Sequence, residues 1–131
     1  MIFLASDKDG FYLKKEIKKW CQEWDLQVVD LGIETFDKEV VWQNLAEKIN
    51  HKITENYDSS VVIVVSKDGV EPSILLNRFE KVRCGLISVS AQAKRARENF
   101  DINALSLASG YTSFKRARKI VSQFFQAGSF V

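Results

Sequence analysis

The spacing of apolar positions along this chain switches repeatedly between continuous runs and three-and-four intervals. Met1 to Ala5 is an apolar run that predicts a first strand, and Ser6-Asp7-Lys8-Asp9-Gly10 is a polar turn. From Phe11, residues Leu13, Ile17, Trp20, Cys21 and Trp24 recur every three or four positions, which predicts an amphipathic helix. Gln27 to Leu31 predicts a second strand and Gly32 to Asp37 a loop. A long helix follows, with Val40, Val41, Leu45, Ala46, Ile49 and Ile53 on one face, and Asn56 to Asp58 end it.

The centre of the pattern is Val61 to Val65, five β-branched residues with no polar alternation, as in a strand buried on both faces of a parallel sheet. Ser66, Lys67, Asp68 and Gly69 break it with a polar turn. Ile74, Leu75, Leu76 and Phe79 then fall at helical spacing, with Pro72 in the first turn, where its missing N–H costs nothing. Val82 to Ser88 predicts a fourth strand, Ser90 to Asn99 a fourth helix and Ala104 to Leu107 a fifth strand. A last helix carries Phe114, Ala117, Ile120, Val121, Phe124 and Phe125.

Five βα units in series predict an α/β fold of three layers, with a five-stranded parallel, doubly wound sheet of flavodoxin or Rossmann type. The expected strand order is 2-1-3-4-5. Ligands of such sheets bind in the crevice at the carboxyl ends of strands one and three, which sets Ser6 to Gly10 beside Ser66 to Val70. Val61 to Val65, Val28, Val29, Leu86 and Ile87 are expected in the core, and Trp20, Trp24, Phe124 and Phe125 in the core or an interface.

The 131 residues, with near-average hydrophobic content and one proline, predict a single domain spanning 1–131. The formal charge is +2, so no global field argues for nucleic acid, and no nucleic-acid partner is expected. Basic residues do cluster, at Lys14, Lys15, Lys18 and Lys19 and at Lys115, Arg116, Arg118 and Lys119; solvated helix faces explain them better than a nucleic-acid face. Cys21 and Cys84 lie far apart and predict unpaired thiols in a reducing compartment. The start of the chain suits a strand and not a signal peptide, and nothing approaches membrane-spanning length. A cytoplasmic protein without membrane contact, metal or cofactor is expected.

Several motifs, in order and in register, point to a family. Ser6-Asp7-Lys8-Asp9-Gly10-Phe11 is similar to S-D-H-x-G-F, and Leu13, Lys14 and Ile17 keep the spacing of L-K-x-x-I. Val28 to Gly32 is similar to V-x-D-x-G, and Ser73 to Arg78, with Asn77, to S-I-A-A-N-K. Val82-Arg83 is similar to I-R, and Ala96 to Asn103 to x-R-x-H-N-D-x-N. Over most of its length the chain resembles the type B ribose-5-phosphate isomerase and galactose-6-phosphate isomerase family. The resemblance implies an aldose–ketose isomerase acting through an enediol on a phosphorylated sugar, with sites at the boundary between subunits of a homodimer or of a heteromer with a related subunit.

The resemblance also assigns candidate residues, several of which depart from the family pattern. The base, a Cys in many members, corresponds to Ser66. Others use a Glu at the position of Pro72, one residue after Glu71. The glycine-rich anion cradle corresponds to Lys67-Asp68-Gly69-Val70-Glu71, and the ring-opening His to Asn99. Lys8 replaces the His of S-D-H, and Val41-Trp42-Gln43 replaces a D-Y-P motif, which removes a polar sugar contact. Asp7, Lys8, Lys67, Asp68, Gly69, Val70, Asn77 and Asn103 are the substrate-binding candidates, and Ser66, Glu71 and Asn99 the catalytic ones. The tail G-G-R-H-x-x-R, which supplies phosphate-binding arginines, is not matched by Gln126 to Val131, so Lys8, Arg83, Arg97 or a partner would meet the phosphate. His51 reads as a surface residue. The chain thus resembles the cysteine-lacking subunit of galactose-6-phosphate isomerase. The alternative is a catalytically inactive paralogue, acting as a partner subunit or as a small-ligand or protein-binding module.

Overall fold

Each apolar run becomes a strand and each three-and-four pattern a helix. A computed structural model describes residues 1–128. Its elements are β1 (Ile2–Ser6), α1 (Phe11–Glu23), β2 (Val28–Asp30), α2 (Trp42–Glu55), β3 (Val61–Ser66), α3 (Val70–Leu76), β4 (Cys84–Leu86), α4 (Ser90–Phe100), β5 (Ala104–Ala108) and α5 (Phe114–Ala127). A single 3-10 turn, Tyr57–Ser59, leads into β3. The strands form one parallel sheet.

Side chains alternate across the central strands and so feed two cores. Leu4, Ile63, Val65, Leu105 and Leu107 pack under α1, α4 and α5, against Ile17, Trp20, Ala93, Ile120, Phe124 and Phe125. Phe3, Ala5, Val62 and Val64 pack under α2 and α3, against Leu45, Ile49, Ile53 and Leu76. Trp20, Phe124 and Phe125 are therefore core residues. Trp24 is half-buried, edge-on to Phe125 with ring centroids 6.2 Å apart.

The strand order is β2-β1-β3-β5-β4, so the expected 2-1-3-4-5 is corrected at its last two positions. The physical reason is burial. All five residues of β5 are buried, whereas β4 has three residues, none of them buried. An interior strand squeezed between two helical layers needs side chains that fit. Ala104, Ser106 and Ala108 are small enough to fit there.

Edge placement accounts for further corrections. Val28 is half-buried, Val29 is 37% exposed and Leu86 43% exposed, because β2 and β4 are the two edges of the sheet. Only Ile87 of that group joins the core with Val61 to Val65. Val40 and Val41 precede α2, with Val41 exposed, and Trp42 takes the buried place at the start of the helix.

Lys14 is not on a solvated face. It is 2% exposed, and its Nζ donates to Asp30 Oδ1 at 2.9 Å and to the Ile33 carbonyl at 2.6 Å. Burial lowers its pKa from the ordinary 10.5, against the opposing pull of Asp30.

Candidate active site

β1 and β3 are neighbours in register, Ser6 opposite Val65, yet their following helices pack in opposite layers. Divergent helices leave a crevice at the carboxyl ends of the two strands, and the turns after β1 and β3 line it. The cleft holds about 540 Å³, and its walls include Asp7, Trp42, Ser66, Lys67, Asp68, Glu71 and Arg78.

Close approach of the two turns dictates their glycines. A Cβ on Gly10 would collide with the Val65 carbonyl, so only glycine lets the first turn lie against β3. Gly69 has φ +77°, and a Cβ there would collide with Leu86 Cδ1 and lie 3.0 Å from Ser106 Oγ. The turn is tied down at both ends. Ser66 Oγ accepts from the Gly69 N–H at 2.9 Å, and Ser106 Oγ donates to the Gly69 carbonyl at 2.8 Å.

Three carboxylates line this cleft, and hydrogen bonding sorts them. Asp7 accepts the Gly10 N–H on Oδ1 and the Trp42 indole N–H on Oδ2, both at 3.0 Å. Asp68 accepts the Val70 N–H at 3.0 Å. Glu71 makes no such bond among the described residues and stays exposed beside the cleft. The hydroxyl of Ser66, having accepted from Gly69, keeps its own proton to donate. A carboxylate without a hydrogen bond among the described residues, a hydroxyl with a proton to donate, a fixed carboxylate and the cations of Lys67 and Arg78 thus share one cavity.

Arg78 and Trp42 were not among the candidates. Glu71, Ile74, Leu75 and Arg78 share helical spacing and all line the cleft, a periodicity legible in the sequence. Trp42 is 5% exposed. Only the packing of α2 against the first turn brings its N–H to Asp7.

Other candidates lie elsewhere. Lys8 is exposed at the rim, with its Nζ 5.3 Å from the centre of the Phe36 ring. Asn77, Asn99 and Asn103 sit at the opposite edge of the sheet, where strands begin and helices end. Asn77 brackets Cys84, donating to its carbonyl at 2.9 Å and accepting its N–H at 2.8 Å. Asn103 accepts from the Arg83 N–H and donates to the Lys81 carbonyl, each at 2.8 Å. Asn99 is exposed near the end of α4. Arg83 is held there too, by Asp101 at 3.2 Å and the Tyr57 hydroxyl at 2.7 Å, and Arg97 donates to the Ile102 carbonyl. Within one chain these residues do not meet the cleft.

Neither cysteine lines the cleft, and both are free thiols. Burial pushes Cys21 up to about 11. His51 pairs with Glu55 at 3.0 Å on the exposed side of α2. No group of three or more His, Cys, Asp or Glu able to hold a metal occurs among the described residues, nor is any described helix long and apolar enough to cross a membrane.

Residues 2–129 match the family model described as Ribose/Galactose Isomerase. A probable ribose-5-phosphate isomerase B of Mycoplasma genitalium is 31% identical over 126 residues, which cover 96% of this chain and 83% of that protein. A putative sugar phosphate isomerase of Bacillus subtilis is 26% identical over 119 residues, 91% of this chain and 79% of the other. Among solved structures, ribose-5-phosphate isomerase B of Mycoplasma genitalium with bound ribulose-5-phosphate superposes with a TM-score of 0.89 at 30% identity, over 95% of this chain and 82% of that one. The Thermotoga maritima ribose 5-phosphate isomerase gives 0.88 at 27% identity, over 95% and 84%.

Proposed function

Because this chain belongs to the ribose/galactose isomerase family, we propose that its cleft interconverts an aldose phosphate and the matching ketose, ribose 5-phosphate or galactose 6-phosphate, with Glu71 as the base. The observation that carries this reading is the sorting of the carboxylates: Asp7 has both oxygens on N–H donors, Asp68 has Oδ1 on the Val70 N–H, and Glu71 accepts no such bond among the described residues. The Glu71 carboxylate takes the proton from the carbon beside the carbonyl, giving an enediolate, and returns it to the neighbouring carbon. The hydroxyl proton moves in the same sense, from the oxygen on the deprotonated carbon to the former carbonyl oxygen, so the carbonyl changes position with no net gain or loss of atoms. Ser66 donates to the enediolate oxygen, and Asp7 accepts from a sugar hydroxyl. Lys67 and Arg78 meet the phosphate.

Asn99, which the resemblance aligns with the ring-opening His, lies across the sheet from the cleft of its own chain, and its neutral amide can hydrogen-bond a sugar oxygen but cannot move a proton. The working unit proposed is accordingly a homodimer, or a heteromer with a related subunit, in which the helix-end edge of one copy faces the cleft of the other. Two unpaired thiols suit a cytoplasmic setting. The relatives named above are isomerases, which does not favour an inactive binding module.

Proton exchange in deuterated water tests the reading. The protein is incubated with ribose 5-phosphate and then galactose 6-phosphate, beside Glu71→Gln. Deuterium entering at the carbon next to the carbonyl, and slowing at least 100-fold in Glu71→Gln, is the expected result. Exchange that is undiminished in the variant would remove Glu71 from the role of base, and no exchange with either sugar would remove the activity.

A further inference from the structure

The charges of this protein balance in the sequence but not in space. Helices α1, α4 and α5 form one layer over the sheet. Together they carry eleven of the nineteen basic residues and only three of the seventeen acidic ones. The net charge of +2 is therefore the difference between a strongly basic layer and an acidic remainder. A field of that kind draws polyanions to one face of a molecule whatever its total charge.

That layer also contains a groove. Two hollows of about 510 and 300 Å³ share Ser90, Lys115 and Lys119 as walls, and so run into one another along α5. Arg116 closes one end, while Trp24 and Gln123 line the other. No acidic side chain lines either hollow. Lys115, Arg116 and Lys119 make no ion pair among the described residues. Arg118 pairs with Glu23 at 2.8 Å and lies over the Trp24 ring at 5.3 Å. From Ser113 to Gln123 the helix rises about 15 Å, the reach of a short piece of extended chain.

We propose that this groove binds single-stranded nucleic acid, with phosphates on Lys115, Arg116 and Lys119 and a base against the Trp24–Arg118 pair. Cations without local counter-charges, with an aromatic surface at one end of the same groove, are the chemistry that single strands use. A lipid surface would want apolar tips between the cations on a convex face, and here the cations line a hollow. An acidic peptide would satisfy the cations and leave Trp24 and Arg118 with nothing to stack on. The groove lies outside the cleft assigned to the sugar, so this inference stands or falls independently of the isomerase reading.

The test is fluorescence anisotropy with a labelled ten-nucleotide oligouridylate, from 50 to 200 mM salt. Three phosphate contacts predict a log–log slope of about −2, so affinity should fall roughly 20-fold over that range. Lys115→Ala with Lys119→Ala should weaken binding at least tenfold and flatten the slope. Lys52→Ala, on the opposite layer, should leave both unchanged. Trp24→Leu should weaken binding without altering the slope, with circular dichroism showing that the fold survives. The proposal is overturned by absence of binding at 50 mM salt, by binding that the double variant does not change, or by a ten-residue polyglutamate peptide that competes as well as the oligonucleotide.

Discussion

The indole N–H of Trp42 donates to Asp7 Oδ2 at 3.0 Å, joining the first residue of α2 to the first turn of the chain. With the Gly10 N–H on Oδ1, both oxygens of Asp7 are held, so the carboxylate faces the cleft in one orientation. Trp42→Phe keeps an aromatic ring at this buried position but removes the donor and the five-membered part of the indole. It should cost about 1 kcal/mol in urea unfolding and raise KM for the sugar more than it lowers kcat. An unchanged KM would show that Asp7 holds its place without the indole.

Arg78 reaches the same cavity from just beyond the end of α3. Removing one charge-assisted contact to a phosphate is expected to cost about 2 kcal/mol of binding, or roughly 30-fold in KM, with kcat nearly retained. Steady-state kinetics of Arg78→Ala check this. If kcat and KM are both unaltered, the phosphate is met elsewhere.

Lys14 makes stability depend on pH in a particular direction. Its folded pKa lies below the ordinary 10.5, so above that folded value the unfolded chain binds more protons than the native one. Burying the charged form opposes folding at lower pH, and the opposition is relieved as pH rises through the folded pKa towards 10.5. Lys14→Met strands the Ile33 carbonyl and leaves Asp30 Oδ1 with the Gly32 N–H alone, and should cost about 2 kcal/mol at pH 7. Because the variant lacks the titration, the gap between wild type and variant should widen between the folded pKa and 10.5. Chemical denaturation across that range measures it, and a constant gap would contradict a lowered pKa.

Gly69 combines a positive φ with a crowded Cβ position. Gly69→Ala must strain the backbone and push on Leu86 and Ser106, and it should lose about 2 kcal/mol of stability. Through Ser66, which accepts from the Gly69 N–H, the change should also displace the hydroxyl proposed to meet the enediolate. Thermal melting reads the first effect and isomerase kinetics the second. A variant as stable as wild type would mean that the turn adjusts at no cost.

The alternation of runs and helical spacings determined five strands, five helices and the placing of the crevice, because burial on two faces or on one stripe imposes its own period on a sequence. The turn residues Asp7, Ser66, Lys67, Asp68 and Glu71 were legible for the same reason, since a parallel sheet gathers the turns at its carboxyl edge. Strand order was not, because Ala104 to Ala108 and Cys84 to Leu86 differ less in hydrophobicity than in the space left for them. Nor could spacing show that Lys14 is buried, since its partners Asp30 and Ile33 come from a distant turn. The bonds that free Glu71 among the cleft carboxylates join Asp7 to Trp42, 35 positions apart. Charge is the sharpest case. Composition determined a total near neutrality, and only the packing of α1, α4 and α5 on one side of the sheet decided that most of the positive charge would share a face, because electrostatic fields add over distances in space and not along the chain.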